Sequence, residues 1–193
     1  MGSKIDHVVV NVEIQRSPDD VPGSWSATDK LGVAVAVVYE FLTDRYHVYL
    51  ENDVDDLRAR LLRADRISGF NIWKFDFPVI FGLPGRERKT ALLPKTNDIL
   101  RRIWQSQDLD PESFGGAHKG WSLDAVCKGT FGTGKSGNGA DAPKWYQAGE
   151  LSRVISYCLD DVRLERDLTR YVDRFGYVVH DTKGVLRLRE DGR

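Results

Sequence analysis

The stretch His7-Val-Val-Val-Asn-Val-Glu-Ile-Gln15 decides how this chain is read. Alternate residues of a strand share a face, so Val8, Val10 and Val12 would pack to one side while Asn11 and Glu13 project together to the other. A carboxylate at the end of an apolar run needs a partner or a cation, because an unpaired buried charge is costly. Working outward, residues 16–30 are rich in Ser, Asp, Pro and Gly and read as a loop. Residues 31–40 and 46–50 read as two strands of a hairpin turning at Thr43-Asp44, giving an antiparallel three-strand start. Asn52 or Asp53 can cap a helix over 54–64 whose apolar stripe is Leu57, Leu61 and Leu62. Residues 67–71 then read as a fourth strand, parallel to the first after that helical crossover.

Two later acidic motifs echo the first. In Ile67-Ser-Gly-Phe-Asn-Ile-Trp-Lys-Phe-Asp-Phe-Pro78, a short apolar strand turns at Gly69 to Asn71 and leads to Asp76. In Tyr157-Cys-Leu-Asp-Asp161, the first and last residues are four apart, so on a helix they lie one turn above the other on the same face. A strand acid, a turn acid and a helix acid can therefore meet at one point. Such a cluster suits hard divalent cations and, through them, cleavage of a phosphodiester bond.

At these residues the chain resembles the DEDD 3′-to-5′ exonucleases of the ribonuclease-H-like superfamily, in the tyrosine subclass similar to proofreading domains of family B polymerases. That family's first motif is Asp-x-Glu, where this chain has Asn11-Val-Glu13. Its second is Asn-x(2 or 3)-Phe-Asp, matched by Asn71, Phe75 and Asp76. Its third is Tyr-x-x-x-Asp, matched by Tyr157 and Asp161, while Ser156 stands where the histidine subclass would have His. The resemblance spans about residues 5–175 and includes order and spacing.

It implies an α/β fold, a ribonuclease-H-like mixed sheet of about five strands, the first three antiparallel and then parallel, flanked by helices. It also implies two divalent cations, Mg²⁺ or Mn²⁺, held about 4 Å apart by carboxylates, one activating water and the other stabilising the leaving oxygen. Glu13, Asp76 and Asp161 would be the ligands and Tyr157 would orient the attacking water. The partner implied is nucleic acid with a free 3′ end, single-stranded in preference. Asn11 departs from the pattern: it is neutral, it cannot bridge two ions, and it should leave turnover greatly reduced. Either it is an isosteric inactivation of a working nuclease, or the chain is a noncatalytic pseudo-exonuclease that binds 3′ ends. The retained Tyr157 favours the first.

The 193 residues, 41% hydrophobic with five Trp, seven Tyr and eight Phe, suit one domain over 1–193 with a substantial core. A net charge of −1 gives no global positive field, so any grip on nucleic acid must be local. Arg86 to Lys89, Arg101-Arg102 and Lys119 are the candidate patch. Cys127 and Cys158 fall in separate helices without metal or redox spacing, which suits buried thiols in a reducing compartment. With no apolar run of spanning length, the expected location is the cytoplasm and no membrane partner is expected. Helices are expected over 76–81, over 96–107 with Ile99, Leu100, Ile103 and Trp104 on one side, over 122–128 with Ser122 as cap, and over 148–175 whole or broken. A final hairpin is expected at about 177–190.

Gly129-Thr-Phe-Gly-Thr-Gly-Lys-Ser136 fits the letter pattern of a phosphate-binding loop. Its context is wrong, because that loop needs a strand before it and a helix after it, and residues 137–143 should not start one. No nucleotide cofactor is expected. Under the exonuclease resemblance, this region lies beside the substrate, so Lys135 and Lys144 become candidate backbone contacts, alongside Asn71 and Phe75 at the turn. Trp73 and Phe75 could stack on a terminal base, although two aromatics beside an apolar strand are more often core; Asp160 suits a solvent or capping role, and His7, His47, His118 and His180 lack ligand spacing and default to the surface.

Overall fold

Two consecutive strands so apolar that both faces must be covered set the architecture. A computed structural model describes residues 5–112 and 120–189 of the chain. Strand β1, His7–Ile14, pairs antiparallel with β2, Val33–Glu40, which pairs antiparallel with β3, Arg45–Leu50. Helix α1, Val54–Arg63, crosses over to β4, Arg66–Gly69, parallel to β1. After α2, Asp76–Phe81, and α3, Gly85–Ala91, comes the short edge strand β5, Thr96–Asp98, parallel to β4. The result is a five-stranded mixed sheet in the order β3-β2-β1-β4-β5.

The chain continues through α4, Ile99–Ser106, α5, Leu123–Phe131, α6, Ala142–Gln147, and α7, Leu151–Phe175. A separate hairpin follows, β6, Tyr177–His180, paired with β7, Gly184–Arg187.

The alternation in β1 distributes the core as its pattern predicts. Val8, Val10, Val12 and Ile14 pack with Leu57, Leu61, Phe77 and Ile80 beneath α1 and α2. Val9 joins Val35, Val37 and Tyr39 against Val154, Cys158 and Val162 of α7. Asn11 and Glu13 continue the Val9 row, so they face α7. A third cluster joins Ile99, Leu100, Ile103 and Trp104 of α4 to α5, the end of α7 and the hairpin.

Several expectations are corrected. Residues 96–98 form β5, and the helix begins only at Ile99; Asp98 is its cap, accepting from the Leu100 and Arg101 amides. Leu62 is 47% exposed, because it lies about 100° around the helix from Leu61, and the buried stripe is Leu57, Arg60 and Leu61. Arg60 can be buried because Asp6 at 2.7 Å and Glu40 at 2.6 Å take its charge. Asp53 does not cap α1; its carboxylate accepts from the Leu50 amide. His180 is buried, not at the surface, with Nε2 against the Gly120 carbonyl at 2.6 Å and Nδ1 accepting from the Thr182 and Lys183 amides in the hairpin turn. A helix, α6, does start at Ala142, with Pro143 in its first turn where no amide is needed. Lys119 and His118 lie outside the described residues, as does Glu190 at the end of the expected hairpin.

Candidate active site

β4 stops at Gly69, and its pairing with β1 ends at Val9. Beyond that point the β4-facing edge of β1 is open, and the side chain of Asp76 fills it. Asp76 Oδ1 accepts from the Val12 amide at 2.8 Å, which ties the first turn of α2 to the end of β1. Divergence of parallel neighbours at their carboxyl ends is where open α/β sheets form their functional crevices.

The link from β4 to α2 is held by Asp98, which sequence reasoning missed. Its carboxylate accepts from the Asn71 and Trp73 amides at 2.9 Å each. Asn71 takes the left-handed conformation at φ 68°, which Asn tolerates better than most residues. Trp73 is core, with its indole N–H donating to Glu112, whereas Phe75 is half-buried and packs against Trp25 with centroids 6.2 Å apart. Trp25, in the loop after β1, is 67% exposed.

α7 brings Tyr157 and Asp161 under the Asn11 and Glu13 row. Asn11 Nδ2 donates to Glu13 Oε1 at 3.3 Å and to Cys158 Sγ at 3.6 Å, which links β1 to α7. Glu13, Asp76 and Asp161 are all buried, the last two at 2% and 1% exposure. Burial pushes Glu13 up to about 8, with the Asp161 charge adding to it and Lys135 and Asn11 opposing. Asp76 is likewise pushed up to about 8, mainly by burial, against the stabilising Val12 hydrogen bond. Burial lifts Asp161 too, with the Lys135 ammonium pulling the other way.

Lys135 is the cation of this place. Its Nζ lies 2.5 Å from Asp161 Oδ2 and sits over the Tyr157 ring, 5.0 Å from the centroid. Burial works against its charge, but Asp161 and Tyr157 together outweigh that and its pKa rises. The loop that carries it is anchored by α5, where Asp124 accepts from the Lys135 amide at 2.9 Å, and Ser136 donates to Asp160. Asp160 also pairs with Arg163 at 2.8 Å and takes no part in the acid cluster.

The phosphate-loop pattern dissolves here. Its first three residues belong to α5, so a helix precedes the loop where a strand is required. Gly129 is explained by packing, since a Cβ there would meet the His180 and Asp181 backbone at about 2.5 Å. Lys144, on α6, pairs with Asp141 at 2.9 Å on the surface and is not brought to the acids. Of the basic patch, Arg101 pairs with Glu112 and lies over Trp73, and Arg102 is buried with its guanidinium donating to Asn97 and the Arg189 carbonyl.

The donor set is one of hard oxygens: Asp161 Oδ1 is buried with no geometric hydrogen bond among the described residues, and the Tyr157 hydroxyl lies beside Asp161 and Lys135. That chemistry fits Mg²⁺ or Mn²⁺. As they stand, no three His, Cys, Asp or Glu side chains among the described residues are grouped closely enough to hold an ion. They are arranged instead around an ammonium. Glu165, which the sequence reading passed over, is a further buried carboxylate here, its charge felt by Asp76 and Asp161. Its signal was an acidic residue on the buried stripe of a helix, four after Asp161.

Among the described residues, no helix is long and apolar enough to cross a membrane. No family model matches the chain, and no curated protein matches it in sequence.

Proposed function

We propose that this chain is a ribonuclease-H-like domain built to hydrolyse nucleic acid from the 3′ end with divalent cations, and that Asn11 leaves this form strongly impaired. The observation that carries the reading is that Glu13, Asp76 and Asp161, from β1, the start of α2 and α7, are all buried, with the charges of Asp161 and Asp76 acting on Glu13 and the Lys135 ammonium paired with Asp161. The mixed sheet and its order are consistent with that fold. Buried free thiols at Cys127 and Cys158 accord with a cytoplasmic setting.

Two bound Mg²⁺ or Mn²⁺ ions would supply an activated water and charge stabilisation at the leaving oxygen. Glu13, Asp76 and Asp161 would hold them, with Asn11 a weakened ligand through its amide oxygen. The chain's own groups do the remaining work. The buried Tyr157 hydroxyl lies beside Asp161 and Lys135, where it would orient a water next to Asp161. Lys135 balances the carboxylates and can pass from Asp161 to an entering phosphate. Trp25 and Phe75 offer faces for a terminal base, Asn71 a polar contact at the turn, and Lys144 a phosphate contact further along a single strand.

A noncatalytic binder of 3′ ends is the second reading, and the Lys135–Asp161 pair favours it, because the protein's own cation already answers the acids. Digestion of matched DNA and RNA oligonucleotides, labelled at the 5′ end, separates the two. With Mn²⁺, Asn11→Asp is expected to shorten them stepwise; binding without shortening would leave the second reading.

A further inference from the structure

On α7, Tyr157, Asp161, Glu165 and Thr169 recur at every fourth position and so form one stripe along the buried face. Asp161 Oδ1, Glu165 Oε2 and Thr169 Oγ1 are buried with no geometric hydrogen bond among the described residues, and the buried Tyr157 hydroxyl has only Asp161 and Lys135 within reach of a weak one. A helix that packs on a sheet normally presents apolar side chains along such a stripe, as Val154, Val162 and Val172 do beside it. Unpaired buried polar groups are rare in folded chains and call for a specific explanation.

Glu165 is the informative member. It is 2% exposed and packs where β4 ends. A Cβ built at Gly69 would collide with Ile72 Cγ2 and stand 2.9 Å from the Val10 carbonyl and 3.3 Å from Glu165 Oε2, so Ile72 and the β1 backbone require glycine there, and the contact places the Glu165 carboxylate at the end of β4 beside β1. The charged groups that act on it are Asp76, Asp161, Lys135 and Asp98. The Lys135 charge therefore acts on four carboxylates, Glu13, Asp76, Asp161 and Glu165, and two of the four keep an oxygen, Asp161 Oδ1 and Glu165 Oε2, with no geometric hydrogen bond among the described residues.

We infer that Glu165 is a metal-site residue, the fourth carboxylate of the ion centre, which draws together with Asp161 one turn before it and Asp76 around a divalent cation that takes the place of the Lys135 ammonium. The inference rests on the reading of this cluster as an ion centre. It assigns to the helix the charge that Asn11 does not supply on β1. Glu165 acts here by holding a cation and not by touching substrate.

Calorimetric titration of the metal-free full chain with Mn²⁺, together with the Mn²⁺-dependent shift in melting temperature, tests this. Glu165→Gln keeps the shape and removes the charge; it is expected to weaken binding of one Mn²⁺ at least tenfold and to shrink the thermal shift. Thr169→Val removes the unpaired hydroxyl next along the same stripe and is expected to leave Mn²⁺ affinity unchanged, whatever it does to the melting temperature of the metal-free chain. Glu165→Asp, with the charge drawn back by one methylene, serves with the same two outcomes if the amide variant does not fold. Unchanged affinity in the Glu165 variants, with affinity lost in Glu13→Gln, would overturn the role of Glu165 and leave the ion centre standing. Absence of Mn²⁺ binding by both the unaltered chain and Asn11→Asp would overturn both.

Discussion

Lys135 Nζ lies 2.5 Å from Asp161 Oδ2, with the lysine side chain 23% and the aspartate 2% exposed. An ammonium on a surface loop is thus inserted among carboxylates from the sheet and the long helix. Removing one partner of a buried pair strands the other, at a cost of about 3–5 kcal/mol. Lys135→Met should therefore destabilise the metal-free chain by an amount of that order, and saturating Mn²⁺ should restore most of it. Chemical denaturation with and without Mn²⁺ measures both quantities, and a loss that the ion leaves untouched would separate Lys135 from the ion site.

Stability of the metal-free chain should fall as pH rises. Burial pushes Glu13 and Asp76 up to about 8 in the folded chain, from ordinary values of 4.5 and 3.8. Between those limits the folded state holds protons that the unfolded state has released, so stability drops with rising pH through that window and levels off above it. Melting temperatures from pH 5 to 9 should decline for the unaltered chain, and the decline should be shallower in Glu13→Gln. Mn²⁺ should reverse the slope, since ion binding requires the ionised carboxylates. A flat profile without metal contradicts the burial argument.

Trp25 is 67% exposed and rests on Phe75, next to Asp76. Trp25→Ala should leave the melting temperature nearly unchanged and weaken single-stranded oligonucleotide binding by about 1–3 kcal/mol, the worth of one stacked base. Fluorescence anisotropy with a labelled oligonucleotide reads this, and equal affinities would place the terminal base elsewhere.

Asp98 holds the turn that delivers Asp76, through the Asn71 and Trp73 amides, and caps α4 as well. Asp98→Ala leaves those buried amides unsatisfied, at about 1–3 kcal/mol each. A loss of several kcal/mol in denaturation, with weaker Mn²⁺ binding in the folded fraction, is expected although Asp98 itself faces amides and not the ion site.

What the sequence disclosed follows from which interactions are local. The alternation of β1 placed Asn11 and Glu13 on the α7 side, and the four-residue spacing put Tyr157 above Asp161. Ser122 was readable as a cap because its hydroxyl bonds the amide three residues on. β5 was not readable, because three residues of parallel edge strand carry no alternation and the periodicity of residues 99–104 runs up against them. Asp98 reaches residues 71 and 73, and Lys135 reaches Asp161, over separations that spacing does not encode. Glu165 carries only the four-residue spacing from Asp161 as its signal, and the packing of α7 on β4 is what shows that face buried there.

Asn11 donates to Glu13 Oε1, a bond that an ionised aspartate at position 11 cannot make. The most direct test is the digestion of a 5′-labelled single strand by Asn11→Asp in Mn²⁺, beside Asn11→Asp combined with Asp76→Asn. A ladder shortening one nucleotide at a time from the 3′ end in the first, abolished in the second, is the predicted result. An intact strand with folded, Mn²⁺-loaded Asn11→Asp, or a ladder that survives Asp76→Asn, contradicts it.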